Sequence, residues 1–170
     1  LSVLVVAYLS MPHSLKTNST LTLGHVGSAS YPLPHHLSQS AFPGHELCYE
    51  TLLTKSATGY TYRLAKSIEV ASTQSLIVTL HPNAYFHDHT PVTTQHVQAV
   101  LQYFSSANIA PYIQKLCQTT RITIQGDLAF TLIGDTQSSI TLLTLLPIFK
   151  QHSSSPPIGS GPYSLLPKQQ

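Results

Sequence analysis

Charge is what this chain has least of. Only 6 of its 170 residues are Asp or Glu and 8 are Lys or Arg, against roughly 25% charged residues in ordinary soluble domains. The surface must therefore be made polar by Ser, Thr, Gln and the 10 histidines. The net charge of +2 comes from scattered cations with no Lys/Arg cluster, so the footprint that phosphate-backbone contacts require is missing and nucleic acid is not an expected partner. Long hydrophobic runs are missing too. The apolar stretch over residues 1–9 falls far short of the about 20 residues that a membrane span takes. Cysteine is limited to Cys48 and Cys117, without CxxC spacing, and no self-similar period marks a repeat architecture.

What is present is a hydrophobic content of 42% in 170 residues, enough for one compact domain with a core and too little for a second full one. Residues 1–14 read as an apolar N-terminal segment. Its core is either the remnant of a signal peptide, cut short and lacking the basic n-region and initial Met, or a buried first strand. On the export reading the mature chain starts near residues 15–20, and Cys48 and Cys117 have an oxidising compartment in which to pair. Otherwise both are free and buried.

Alternation of apolar and polar residues predicts a strand over Thr20–Val26. Residues 28–44, with Pro32, Pro34 and Pro43, should form an irregular ordered loop. Leu47, Glu50 and Leu53, widened by Tyr49 and Leu52, are spaced for a short helix over 46–54. Strand-like runs follow at 60–64, 68–70 and 75–81, the last two joined as a hairpin through Ser72-Thr73-Gln74. Asp88 and Thr90-Pro91 punctuate a turn, Thr93 is placed to cap a helix with its hydroxyl, and Val97, Val100, Leu101 and Phe104 share one face of that helix. A second short helix is expected over 109–118. Gly126-Asp127 between alternating runs at 121–125 and 129–133 signals a hairpin. Residues 138–146, apolar nearly all round, should be a buried helix; a loop at 153–157 and a last strand introduced by Gly159–Tyr163 complete the pattern. The fold class is α+β.

Separated stretches agree in order and spacing with one family. Leu47-Cys48-Tyr49-Glu50-Thr51-Leu52-Leu53 resembles its "YE-x-L" helix, and Leu64-Ala65-Lys66-Ser67-Ile68-Glu69-Val70 its "LA-x-S-W-x-V" segment, with Ile68 for the usual Trp. Phe86-His87-Asp88-His89-Thr90-Pro91-Val92-Thr93 resembles its "F-x-D-G-T-P-V-T" block, with His89 where members carry glycine, which suggests a turn of a different type. Pro157-Ile158-Gly159-Ser160-Gly161-Pro162-Tyr163 is similar to its "P-[IV]-G-T-G-P-Y" motif. The family is the extracellular solute-binding proteins of the oligopeptide, dipeptide and nickel type that feed ABC importers.

The resemblance implies a periplasmic-binding-protein-like fold (class II, family 5), of which this chain would supply a partial lobe with hairpins and short helices. Residues 15–170 would be the N-terminal part of a solute-binding domain, with 45–155 an inserted α+β subdomain and 156–170 the return strand to the first lobe; the ligand-closing C-terminal lobe would be a partner outside these residues. It also implies a peptide or similar small solute as ligand, an ABC permease as membrane partner, no cofactor, and a periplasmic or envelope-associated location. Ala29, Ser30 and Tyr31 stand where members carry an "LDPH"-like segment entering the cleft and are the expected ligand-binding residues, although Leu33-Pro34-His35 departs from Leu-Asp-Pro. A ligand-sensing domain of a transcriptional regulator is the alternative use of the same module.

Catalysis finds little support in the residues. Ser160 lacks the Gly-x-Ser-x-Gly spacing of a nucleophile elbow, and Pro162 opposes a helix there. Glu46, Glu50, Glu69, Asp88, Asp127 and Asp135 each have an ordinary role at a helix start or turn, so no acid/base pair is expected. His87, Asp88 and His89, with His81 and His96 nearby, are the densest set of metal-ligand types, but His in a charge-poor surface is the simpler reading, and no metal site is expected. Tyr31 and Tyr163 are read as packing residues before ligand stackers.

Overall fold

The computed structural model describes residues 4–10, 20–26, 45–107, 111–150 and 157–165. Along the chain these form β1 (Leu4–Ser10), β2 (Thr20–Val26), α1 (His45–Cys48), β3 (Leu53–Ser56), β4 (Gly59–Tyr62), β5 (Ala65–Ser72), β6 (Ser75–Leu80), α2 (Thr94–Ser106), α3 (Pro111–Thr119), β7 (Arg121–Ile124), β8 (Ala129–Ile133), α4 (Thr136–Leu145), β9 (Phe149–Lys150), β10 (Ile158–Gly159) and β11 (Ser164–Leu165). The α+β expectation holds. Among the described residues no helix is long and apolar enough to cross a membrane.

The body is organised by an antiparallel sheet of order β5-β6-β8-β7. Its register follows from alternation: Leu76, Val78 and Leu80 of β6 and Phe130 and Leu132 of β8 are all buried, and Leu76 pairs with Leu132 and Val78 with Phe130. A slip of one residue would turn each of these outward, so the apolar pattern holds the pairing. Both expected hairpins form, β5–β6 and β7–β8. The α2 face of Val97, Val100, Leu101 and Phe104 is buried as its spacing predicts and shares one cluster with the sheet. Phe149 meets Tyr103 edge-on at 5.5 Å.

Thr93 is the N-cap of α2, but its hydroxyl lies 2.9 Å from His96 Nδ1, and the same nitrogen accepts the Thr93 backbone N–H at 3.1 Å. His96 thus takes the returning role that Glu or Gln plays in a capping box.

Three expectations need correction. Residues 46–54 form not one helix but the four-residue α1 followed by the start of β3. The reason is competition for carbonyls. Leu47 O accepts Tyr163 N, Cys48 O accepts Gly161 N and Glu50 O accepts Ile148 N, while Leu52 O accepts Arg63 N and Ala65 N. A helix would need those same oxygens for its own i→i+4 bonds. The last helix starts earlier than 138, because the Asp135 carboxylate caps it by accepting Ser138 N at 2.8 Å. It is also not buried all round, since Leu145 is exposed.

Of the two readings of the apolar run at 1–9, the structure draws the strand. β1 pairs with β2 from Leu4↔Val26 to Ser10↔Thr20, and β11 adds to its other edge through Leu9↔Leu165 and Ser10↔Ser164. The loop expected at 28–44 lies outside the described residues, as does most of that at 153–157. The chain thus leaves this small sheet, builds the α+β body, and comes back to pair with its own first strand.

Candidate functional site

The return is made where three distant pieces of chain meet: 47–50 at the end of α1, the turn at 83–92, and 157–163. Gly161 N donates to Cys48 O at 2.9 Å and Tyr163 N to Leu47 O at 3.0 Å. His87 ties the turn to the same strip twice, its backbone N–H to Gly159 O at 2.9 Å and its ring Nε2 to Gly161 O at 2.8 Å. Since a carbonyl only accepts, Nε2 carries the proton and Nδ1 is bare in the neutral ring. Burial lowers the His87 pKa, and the Gly161 bond and the Asp88 charge oppose that only in part. The Tyr49 hydroxyl donates to Pro157 O at 3.1 Å.

These backbones approach too closely for side chains at two positions. A Cβ on Gly161 would fall within the Leu47 carbonyl oxygen and 2.6 Å from Cys48 C, and one on Gly159 would overlap Cys48 O and lie 2.8 Å from Tyr49 Cδ1. Backbone packing, not chain reversal, is the use of these glycines.

The turn itself is held from within. Phe86 N bonds Thr90 O, His89 N bonds Phe86 O and Val92 N bonds Ala84 O, each at 2.9 Å. Asp88 Oδ1 accepts Thr90 N at 3.1 Å and the Thr90 hydroxyl at 2.6 Å, and Asp88 Oδ2 meets Lys150 Nζ at 2.6 Å. Slight burial pushes the Asp88 carboxyl up, but Lys150 and Thr90 outweigh it and hold it at about 2. His89 has φ 63°, the left-handed region that glycine adopts freely. The turn therefore keeps a glycine-like backbone although it carries histidine, contrary to the different turn type expected.

Two clefts flank the junction. One, of about 300 Å³, is lined by residues including Glu50, Leu64, Asn83, Tyr85, His87 and Pro162. The other, of about 110 Å³, is lined by Cys48, Tyr49, Pro157, Ile158, Gly159 and Ser164 and shares His87 with the first. Glu50 is the departure from the sequence reading. It is neither a helix-start nor a turn residue, and burial raises its pKa while Arg63 opposes the shift. The Tyr-Glu pair in the resembling motif was the available signal for it.

The other candidates are dispersed. Ala29, Ser30 and Tyr31 lie outside the described residues. His81 Nδ1 accepts Asn83 N at 3.3 Å, His87 is committed to Gly161 and His96 to Thr93, so these three histidines serve the local backbone. No group of three His, Cys, Asp or Glu that could hold a metal occurs among the described residues. Ser160 is buried, its Oγ 3.5 Å from Ile148 O. Cys48 and Cys117 are free and buried, and burial pushes their thiols up to about 12 and about 11.

No protein-family model and no curated protein matches the sequence. Solved structures do match. A periplasmic oligopeptide-binding protein of an ABC transporter from Thermotoga maritima superposes with a TM-score of 0.68 at 19% identity, over 82% of this chain and 29% of the other. NikZ from Campylobacter jejuni, solved with Ni(L-His), gives 0.69 at 15% identity over 85% and 32%. The oligopeptide-binding protein AppA from Bacillus subtilis, solved with a nonapeptide, gives 0.64 at 16% identity over 81% and 32%. The chain spans less than a third of the length of each of these. It has the fold of part of a periplasmic solute-binding protein, in agreement with the resemblance carried by its motifs.

Proposed function

We propose that this chain is part of the substrate-binding component of an ABC-type importer for peptides or a similar small solute, and that its role is non-catalytic. The observation that carries the reading is the shared fold over most of the chain with a periplasmic oligopeptide-binding protein, an oligopeptide-binding protein solved with a nonapeptide and a protein solved with Ni(L-His). The return of β11 to β1 supports the division proposed for the chain, with 45–155 as an insertion and 156–170 as the return to the first lobe. The tightly bonded strip at Gly159–Tyr163 is then the crossover between the two.

Proteins of this architecture close two lobes about a hinge and bury the ligand by hydrogen bonds to its backbone groups; the closed form is what a membrane permease receives. On this reading Ala29, Ser30 and Tyr31 lie nearest the solute, the protein is exported to the periplasm or cell envelope, and a second lobe completes the site.

The test is to sequence the genomic DNA on both sides of the reading frame and to measure peptide binding by calorimetry on the product of the full frame. A frame that continues to the length of the solved structures, with permease genes adjacent and saturable peptide binding, supports the proposal. An upstream DNA-binding domain would transfer the module to a transcriptional regulator. A stop codon directly after Gln170 would overturn the transport role.

A further inference from the structure

Glu50 is the group at the junction that the local structure leaves unanswered. It is half-buried and lines the cleft of about 300 Å³, and among the described residues no hydrogen bond or ion pair reaches its carboxylate. Arg63 is exposed and acts on it through its field without forming an ion pair. A carboxylate drawn partly out of water and left unpaired is costly to the fold unless something else completes it.

The rest of the cleft wall indicates what would. Tyr85 lines it and is 50% exposed, an aromatic side chain of the kind that attracts a cation. Asn83 adds an amide, and Leu64, Ala84 and Pro162 add apolar surface. The neighbouring His87 does not compete for Glu50, because its Nε2–H is committed to Gly161 O and burial favours its neutral form. The cleft, of about 300 Å³, has room for a ligand of a few heavy atoms. It stands at the lower end of the roughly 300–1,000 Å³ range of small-molecule sites.

From the unpaired carboxylate, the exposed tyrosine and the apolar lining residues of one small cleft, we infer that it binds a small organic cation. The group recognised is an alkylammonium or alkylguanidinium, its charge on Glu50 and its stem against Tyr85 and Pro162. The chemistry is the same whether the group belongs to a free solute or to a Lys or Arg side chain of a polypeptide. The inference stands apart from the transport reading, since it uses only residues of this cleft.

The experiment is an NMR titration of the 170-residue chain with n-butylammonium chloride, with n-butanol as the neutral control of the same stem and potassium chloride as the control for ionic strength. Expected are saturable shifts of the Glu50, Asn83 and Tyr85 amides with the ammonium alone, at least about tenfold weaker in Glu50→Gln, as loss of a charge-assisted hydrogen bond implies. Tyr85→Ala, at an exposed position, should weaken binding about threefold, which keeps the test decisive if Glu50→Gln fails to fold. A second titration with acetyl-lysine-methylamide distinguishes the sources: shifts at the same amides admit a polypeptide side chain, and shifts with the free amine alone restrict the site to a solute. Equal shifts with n-butanol, equal affinity in Glu50→Gln and Tyr85→Ala, or no saturation with either amine would overturn the inference.

Discussion

Replacing Gly161 by Ala adds one methyl group where two carbonyl-bearing segments already touch. The new Cβ would overlap the Leu47 carbonyl oxygen and lie 2.6 Å from Cys48 C and 2.7 Å from Leu47 C. These are backbone atoms, so no rotamer change relieves the clash and the strip 159–163 must move off 47–49. Overpacking of this kind costs about 1–3 kcal/mol. The movement also breaks or lengthens Gly161 N→Cys48 O and Tyr163 N→Leu47 O, at about 1 kcal/mol each. The sum is about 3–5 kcal/mol, a large share of the roughly 5–15 kcal/mol that holds a domain together. At about 2–4 °C per kcal/mol for a chain of this size, the melting temperature should fall by about 6–20 °C.

Urea unfolding followed by far-ultraviolet circular dichroism, with the emission of the 9 tyrosines as a second probe in a chain without Trp, measures this directly. Gly59→Ala is the control. Gly59 has φ 139° and open space around its added Cβ, so it isolates backbone strain, at about 1–2 kcal/mol. If Gly161→Ala lies within about 0.5 kcal/mol of the parent, the range of an ordinary surface change, the close approach does not hold the junction and the reasoning fails.

His89→Gly should raise stability by about 1 kcal/mol in the same assay, because glycine adopts the left-handed backbone of the turn without the side-chain penalty; a loss would mean that the imidazole contributes more than its strain costs. For Asp88 the folded pKa of about 2 lies below its ordinary 3.8, so its contribution is present above about pH 4 and is lost as pH falls toward 2; the pair is largely solvated, which limits the effect to at most about 1 kcal/mol. Asp88→Asn should therefore lower the urea midpoint at pH 7 and leave it nearly unchanged at pH 2. Burial lowers the His87 pKa from 6.5, so stability should drop as pH falls below 6.5 and that proton is forced on; His87→Gln should flatten this part of the pH–melting curve, and an unchanged slope would assign it to other groups. Cys48 and Cys117, buried with raised pKa values, should resist iodoacetamide at pH 8 in the folded chain and react at once in urea, as mass spectrometry would show.

Much of the architecture was legible in local pattern. The extent of strand β2 was legible as alternation, and the hairpins β5–β6 and β7–β8 and the buried face of α2 are short-range features in which side-chain period and turn residues agree with the final packing. Where pattern failed, a distant segment decided. Leu47, Glu50 and Leu53 have helical spacing, yet the Leu52 carbonyl is taken by Arg63 and Ala65 and those of Leu47, Cys48 and Glu50 by Tyr163, Gly161 and Ile148, and no local rule anticipates the last three, which lie about a hundred positions away. For the candidate site, the motif at 157–163 marked the right strip but not its use. Whether a glycine serves a turn or a close approach depends on what lies opposite. Glu50 looked like an ordinary helix-start residue, and only the meeting of 47–50, 83–87 and 157–163 leaves its carboxylate half-buried beside a cleft. By itself, then, the sequence determined most of the strands and helices from 60 onward and the buried faces of β6, β8 and α2, because period and turn chemistry are properties of neighbouring residues. Tertiary structure alone decided which backbone groups find each other across the junction, and with them where a charge is stranded, because those energies depend on residues tens to more than a hundred positions apart.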